Sequence, residues 1–239
     1  MGISCVIPAK NESGYLDQVL SEVLSLETIS DIIIVEGGSN DETFTKALSI
    51  AKANPKRVSV FKQHGSGKFD AVKLGAKYAR EEFLIIWDAD GTVPLASTER
   101  AITHSLKTGC PTIGDRFKGE MEPGSMRLLN RLGNWAFAIA WSPILLRKPV
   151  DLLCGTKILP TKIFEALPPL IERFDPYGDF TLLAATKFKG YSIDFIPVDY
   201  QARRYGSTNI KRWRGGLQLL LTTLLIYKWI LVRKFTRGQ

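Results

Sequence analysis

Four short apolar runs, at residues 3–7, 31–35, 57–61 and 85–87, recur in the first part of the chain at roughly thirty-residue spacing. The stretches between them carry apolar residues at helical spacing. The first such set is Tyr15, Leu16, Val19, Leu20, Val23 and Leu24. This alternation constrains the fold more than any other feature. Short strands joined by helical crossovers form right-handed βαβ units, and these assemble into a mostly parallel sheet covered by helices. In such sheets ligands bind beyond the carboxyl ends of the strands. The polar loops fall at that edge: Lys10-Asn11-Glu12-Ser13, the stretch Glu36 to Thr43, Gly65-Ser66-Gly67-Lys68, and Asp88-Ala89-Asp90-Gly91-Thr92.

The last of these loops carries the most chemistry. A strand sends alternate side chains to one face, so Asp88 and Asp90 can point together, with small Ala89 between them and Gly91 easing the exit. Two such carboxylates suit a hard divalent cation, Mg2+ or Mn2+, which takes one or two protein carboxylates and fills its shell with water and phosphate oxygens. The same pair also suits the capping of a turn. Gly65-Ser66-Gly67-Lys68 opens a helix and suits phosphate or an ordinary loop equally, because it lacks the full Walker spacing. Asp41 or Asn40 is placed to cap the helix that runs to Ala53.

Beyond Pro94 the pattern predicts a helix over 97–107, a strand over 111–114, a Gly-rich charged loop over 114–125 of the kind that forms lids, and a helix over 126–141. Arg127 and Arg131 stand four apart on that helix. The run from Trp135 to Trp141 is apolar on every side and broken by Pro143. Core burial is its default, and a membrane interface suits its two Trp. A turn at 151–157 enters a strand, a helix follows from Thr161, the acid-bearing loop 174–180 precedes a helix over 181–189, and a strand runs near 192–200.

Charge is uneven. Of 32 Lys and Arg against 24 Asp and Glu, nine basic and no acidic residues lie from Gln201 onward, leaving 23 against 24 before it. Residues 217–232 are largely apolar with cations on both sides, and a helix of that length reaches ~24 Å, short of the ~30 Å hydrocarbon core. The expectation is one domain over 1–210 and a docking or membrane-associating helix over 211–239. Cations beside an anionic leaflet contribute about 1 kcal/mol each, which points to a peripheral protein on the cytoplasmic side of a membrane. Nucleic acid is the weaker partner, since the cations flank an apolar run and line no polar groove. Cys5, Cys110 and Cys154, odd in number and widely spaced, suggest reduced thiols and no disulfide framework.

The motifs in order resemble an inverting family 2 glycosyltransferase of the GT-A fold, and within it the dolichyl-phosphate mannose synthase or polyprenyl-phosphate glycosyltransferase branch. They are Ile7 to Glu12, Val35 to Thr43, Gly65 to Gly75, Asp88-Ala89-Asp90, Gly114 to Phe117, Arg127 to Asn134, Asp151 to Lys157 and Arg203 to Thr208. The resemblance implies a nucleotide diphosphate sugar donor and a polyprenyl phosphate acceptor. It implies donor contacts from Pro8, Asn11, Glu12, Glu36, Gly38, Asp41 and Lys68, with Asp88 and Asp90 on the diphosphate and metal. Arg116, Arg127, Asn130, Arg131 and Arg203 would surround the acceptor phosphate, a task for guanidinium forks. Arg116 and Arg203 are also expected to act in catalysis. The chain departs from the family pattern at Glu36 and Gly37, at Thr92, at Cys154-Gly155-Thr156-Lys157 and at Thr208-Asn209.

Two other functions remain open at the level of sequence. A hydroxyl acceptor would require a general base, for which Asp179 is the candidate. A non-catalytic nucleotide-sugar-binding membrane subunit would tolerate the altered positions.

Overall fold

The computed structural model describes residues 2–148, 150–168, 171, 174–205 and 212–237. Seven strands form one sheet in the order β3-β2-β1-β4-β6-β5-β7: β1 (Ile3–Ala9), β2 (Ile29–Glu36), β3 (Val58–Lys62), β4 (Phe83–Ile86), β5 (Thr112–Asp115), β6 (Lys157–Pro160) and β7 (Asp194–Pro197). The four predicted runs are β1 to β4, and they pair in parallel. The chain moves outward from β1 to β3, then returns to lay β4 on the other side of β1. That reversal opens a crevice at the carboxyl ends of β1 and β4, the place where parallel sheets bind ligands.

Both faces of this half are covered. Ile3, Cys5 and Ile7 of β1 join the cluster that includes Leu16, Val19, Leu20 and Val23 of α1 (Leu16–Ser25), and Ala101 and Ile102 of α4 (Leu95–Thr108). Val6, between them, faces Phe69, Ala71 and Val72 of α3 (Lys68–Ala76). Alternation along a strand produces the two faces, and burial on both explains the continuous apolar runs. Helix α2 (Thr43–Ala53) lies beside β3 and turns only Thr43 and Ala47 fully inward.

The second half departs from the simple βαβ plan. β6 is antiparallel to both β4 and β5, with Ile86 opposite Lys157. The helix expected from Thr161 is a short 3-10 turn, Thr161–Ala166. Helix α5 (Leu128–Leu145) passes through Pro143. Proline lacks an N–H and clashes one turn back, but here only two helical residues follow it before Leu146 takes a left-handed conformation.

Core burial, the default for 135–141, holds for one side of the helix only. Trp141 is fully buried while Trp135 is 57% exposed and Ile139 is exposed as well, because the helix rests on the domain along one side only. The stretch 114–125, expected as a mobile loop of the kind that forms lids or binding loops, is tied down: Met121 bridges Tyr200, Glu122 N–H donates to Tyr200 O at 2.9 Å, and Tyr200 N–H donates to Glu120 O at 2.8 Å.

Helix α6 (Asp179–Phe188) buries seven consecutive residues. The final helix, α7 (Arg212–Arg237), packs on α6 and α5 through Leu219 and Ile226. Trp141 Nε1 donates to Thr223 Oγ1 at 3.2 Å, and the Tyr227 hydroxyl donates to Ala140 O. Among the described residues no helix is long and apolar enough to cross a membrane.

Candidate active site at the carboxyl edge of the sheet

The β1–α1 and β2–α2 loops are laced together. Asn11 adopts a left-handed conformation with φ 57°, which Asn tolerates better than most residues. Its Oδ1 accepts from Asn40 N–H at 2.8 Å, and its own N–H donates to Ser39 Oγ at 3.0 Å. Asp41 accepts from Ser13 N–H at 3.2 Å and Thr43 N–H at 3.0 Å. Burial opposes ionisation of Asp41, but these hydrogen bonds prevail and hold its pKa down at about 2. The N-cap position of α2 is Glu42, not Asn40 or Asp41; Asp41, one residue earlier, ties the first N–H of α2 to the neighbouring loop. Glu36, buried at the end of β2, accepts from Ser39 N–H. Pro8 lies near the end of β1, and Gly38 is exposed with φ 75°.

Asp88 and Asp90 follow β4 instead of standing on it, and they take different partners. Asp88 is paired with the Lys68 ammonium at the start of α3. Gly155 lies against the Asp88 carboxylate so closely that a Cβ there would collide with Oδ2. Burial works against Asp88 ionisation, yet Lys68, with Lys157 and Arg203 behind it, holds the pKa below its ordinary value. Asp90 accepts from Thr92 N–H at 3.1 Å and Thr92 Oγ1 at 2.9 Å, and from Arg203 Nη2 at 2.7 Å. Thr92 thus fixes the rotamer of the second carboxylate.

Arg203 was expected at the acceptor phosphate, and in this structure its fork joins two carboxylates. Its Nη1 donates to Glu12 Oε1 at 2.8 Å while Nη2 serves Asp90. Glu12 Oε2 is buried with no hydrogen-bond partner among the described residues. Burial pushes the Glu12 pKa up, and the Asp90 and Asp88 charges add to the rise; Arg203 offsets part of it, leaving the value at about 7. The strap that carries Arg203 is held by Gln201 N–H donating to Thr92 O at 2.8 Å, and Tyr205 packs on Gly14. The motif's end at Gly206, Ser207, Thr208 and Asn209 lies outside the described residues.

The remaining expected residues divide. Arg116 is buried at the end of β5, and its fork is taken by Asp151, through Nε to Oδ2 and Nη2 to Oδ1 at 3.0 Å. Burial opposes that charge, but Asp151 overrides it and raises the Arg116 pKa. Arg116 is thus built in as a strut between β5 and the turn before β6. Arg127, Asn130 and Arg131 are exposed around the start of α5.

Asp179, the candidate base, opens α6, and its Oδ1 accepts from Lys157 Nζ at 2.6 Å. Lys157 is 1% exposed and also donates to Cys154 O. Lys157 and Asp151 stand in a motif of the sequence whose spacing names no partner for either; sequence reasoning missed both pairings. It also passed over Asp175, whose carboxylate accepts from the N–H groups of Gly178, Phe180 and Thr181. An Asp shortly before a predicted helix start was the available signal.

The site therefore brings Glu12, Asp88 and Asp90 into one electrostatic group balanced by Lys68, Lys157 and Arg203. The sequence profile of glycosyl transferase family 2 matches residues 4–158, which contain every strand of this crevice. The chain belongs to glycosyl transferase family 2. This family 2 chain is 27% identical over 215 residues to glycosyltransferase AglJ of Haloferax volcanii, covering 89% of this chain and 68% of that one. It is 32% identical over 222 residues to the dolichyl-phosphate beta-glucosyltransferase of Saccharomyces cerevisiae, covering 83% of this chain and 66% of that one. It thus spans about two thirds of the length of each. Among solved structures, glucosyl-3-phosphoglycerate synthase from Mycobacterium tuberculosis with UDP superimposes with a TM-score of 0.70 at 19% identity, over 94% of this chain and 79% of that one. The same enzyme with Mn2+, UDP-glucose and phosphoglyceric acid matches with a TM-score of 0.70 at 20% identity. The GT-A architecture is shared at that distance.

Proposed function

We propose that this family 2 protein moves a hexosyl group from a nucleotide diphosphate sugar to the phosphate of a polyprenyl phosphate, with inversion, at the cytoplasmic face of a membrane that it meets through α7. The lipid phosphate oxygen attacks the anomeric carbon from the side opposite the diphosphate. A carbon–oxygen bond forms as the bond to the diphosphate breaks, and a nucleoside diphosphate leaves. A phosphate is already ionised at neutral pH, so no proton has to be removed.

The observation that carries this reading is the Lys157–Asp179 pair. Asp179, the carboxylate expected as a base, has its Oδ1 taken by a buried ammonium, which suits an acceptor that needs no base better than one that does. The yeast relative's name, a dolichyl-phosphate beta-glucosyltransferase, supports the lipid acceptor. A beta product is also what inversion of an alpha-linked donor yields.

Asp88 and Asp90 fit a divalent cation. They are hard oxygen donors of the number Mg2+ takes from protein, and both are only partly buried. Among the described residues no group of three or more His, Cys, Asp or Glu forms a metal cage, which suits a cation that arrives with the donor diphosphate. Mg2+ or Mn2+ bound there would neutralise charge on the departing diphosphate. Lys68 and Arg203 now balance the two carboxylates, and their long side chains can turn to phosphate oxygens once donor is present. Glu12 and Glu36, buried after β1 and at the end of β2, would suit ribose and base hydroxyl or N–H groups.

Turnover of nucleotide sugars with Mg2+ or Mn2+, with and without polyprenyl phosphate, tests the reading. The expected result is nucleoside diphosphate release that depends on the lipid phosphate and is lost with chelator. Release that responds to sugar hydroxyl acceptors and ignores the lipid would overturn it, as would donor binding without release across donors.

A further inference from the structure

The exposed surface of α5 and α7 is unlike the rest of the molecule. On α5, Leu128, Leu132, Trp135 and Ile139 follow one another at intervals of four, three and four, a single line along the helix. All four are exposed, Leu128 by 72%. The opposite side of α5, with Asn134, Ala138, Trp141 and Leu145, is buried. On α7, Leu217, Leu220, Leu224 and Leu231 form a second exposed line, while Leu219, Thr222, Thr223 and Ile226 face inward. The two buried sides share one core cluster and touch through Trp141–Thr223 and Tyr227–Ala140. The two leucine lines therefore both lie on the sides of the helices turned away from that core. Apolar residues scattered singly on a surface need no explanation, but two adjoining lines of large ones mark a binding face.

Charge identifies the occupant. Residues 123–150, which contain α5, hold no Asp or Glu and expose Arg127, Arg131 and Lys148, with Arg147 turned to Ile193 O and the Phe195 ring; the chain from 201 onward holds nine cations, of which Arg203 is taken by Glu12 and Asp90, and no acid. A second copy pairing through this face would set cations against cations with no counter-charge. An anionic bilayer supplies both an apolar layer for the leucines and phosphates for the cations. Lys228, exposed and within the α7 line, has a stem long enough to keep its ammonium at the headgroups while its neighbours sit deeper. Trp135 is the residue type that favours the boundary between lipid and water.

We propose that α5 and α7 together form one lipid-docking face, with the Leu128–Ile139 line of α5 entering an anionic leaflet beside the C-terminal helix. This assigns to the middle of the chain a membrane contact that its tail alone does not make. It also puts the exposed Arg127 and Arg131 at the depth of lipid phosphates. The proposal deepens the lipid-phosphate reading and rests on it for the purpose of the contact.

The test is sedimentation of the full chain with phosphatidylcholine vesicles, with and without phosphatidylglycerol, without donor or acceptor. Wild type, Leu132→Glu/Trp135→Glu and Leu224→Glu are compared, with circular dichroism melts to confirm folding. These positions are exposed, so the melts should be unchanged. The expected result is binding that requires phosphatidylglycerol, a blue shift of tryptophan emission lost on removing Trp135, and binding weakened at least ~tenfold by either variant. Binding lost in Leu224→Glu but kept in Leu132→Glu/Trp135→Glu would overturn the role of α5. A dimer in solution that Leu132→Glu/Trp135→Glu dissociates, without vesicle binding, would overturn the bilayer as occupant. Transfer to polyprenyl phosphate by a protein that binds no vesicles would overturn the docking face and spare the acceptor assignment; vesicle binding without such transfer would do the reverse.

Discussion

Asp179→Asn separates a reactive carboxylate from a structural one. Lys157 is 1% exposed and Asp179 15%, so replacing the anion by an amide leaves an ammonium in the protein interior facing neutral acceptors, the Cys154 carbonyl and the amide oxygen. Breaking a buried pair from one side costs roughly 3–5 kcal/mol. The partial exposure of Asp179 and the nearby Asp88 charge put this case at the low end, about 3 kcal/mol. For a chain of this length that corresponds to a fall in melting temperature of about 6–12 °C. Lys157→Met leaves a carboxylate at the N-terminus of α6, where the helix dipole favours negative charge, so its cost is smaller, about 1 kcal/mol. Replacing both removes two buried charges together, and such replacements are often near neutral. The double variant should therefore cost about 2 kcal/mol or less, against the roughly 4 kcal/mol that independent effects would sum to, a coupling of at least about 2 kcal/mol. Urea unfolding of the four proteins measures the cycle. If Asp179→Asn unfolds with wild type and yet loses all transfer, the carboxylate is not a counter-ion and the argument against a general base fails.

Three further outcomes follow from the site. Arg203→Ala leaves Glu12 without its cation, so the Glu12 pKa rises beyond about 7. A carboxyl with a raised folded pKa binds its proton more tightly when folded, and stability falls as pH rises between the unfolded and folded values; melting temperature in the variant should keep falling above neutral pH where wild type has levelled, and parallel curves would refute the Glu12 link. Asp41→Ala removes the charged acceptor of the Ser13 and Thr43 N–H groups and should cost about 1–2 kcal/mol at neutral pH. Because the Asp41 pKa is depressed to about 2, its contribution is present above the unfolded value and is lost as pH falls toward about 2, so the gap to wild type should close in acid; a constant gap in urea melts at both pH values would show that the charge is irrelevant. Gly155→Ala drives a methyl group into the Asp88 carboxylate, and displacement of a reacting-centre group by this amount costs ~100-fold in turnover; donor turnover within threefold of wild type would remove Asp88 from the diphosphate site.

The first half of the chain was legible because its structure is local. β1 to β4 and the helices between them follow from the period of apolar residues over a few turns, and the polar loops fall on one edge once the strands run parallel. The carboxylates after β4 and the laced loops around Asn11 and Asp41 could be placed for the same reason. The second half was less legible. The antiparallel course of β6 leaves no mark in its short apolar run, since Lys157 to Pro160 would suit either direction. Trp135 and Trp141 look alike in an apolar stretch, and only the side on which α5 meets α6 and α7 separates an exposed ring from a buried one.

What the sequence determined by itself is a parallel-sheet crevice lined with Glu12, Asp88 and Asp90 and an acid-free tail, because spacing and composition act over short distances. What the tertiary structure alone decided is which charges are spent on one another. Arg116 on Asp151, Lys157 on Asp179, Lys68 on Asp88 and Arg203 between Glu12 and Asp90 are pairs separated by 20 to 191 residues. A charge far along the chain becomes a partner only when packing has removed water from between them, and no local pattern records that.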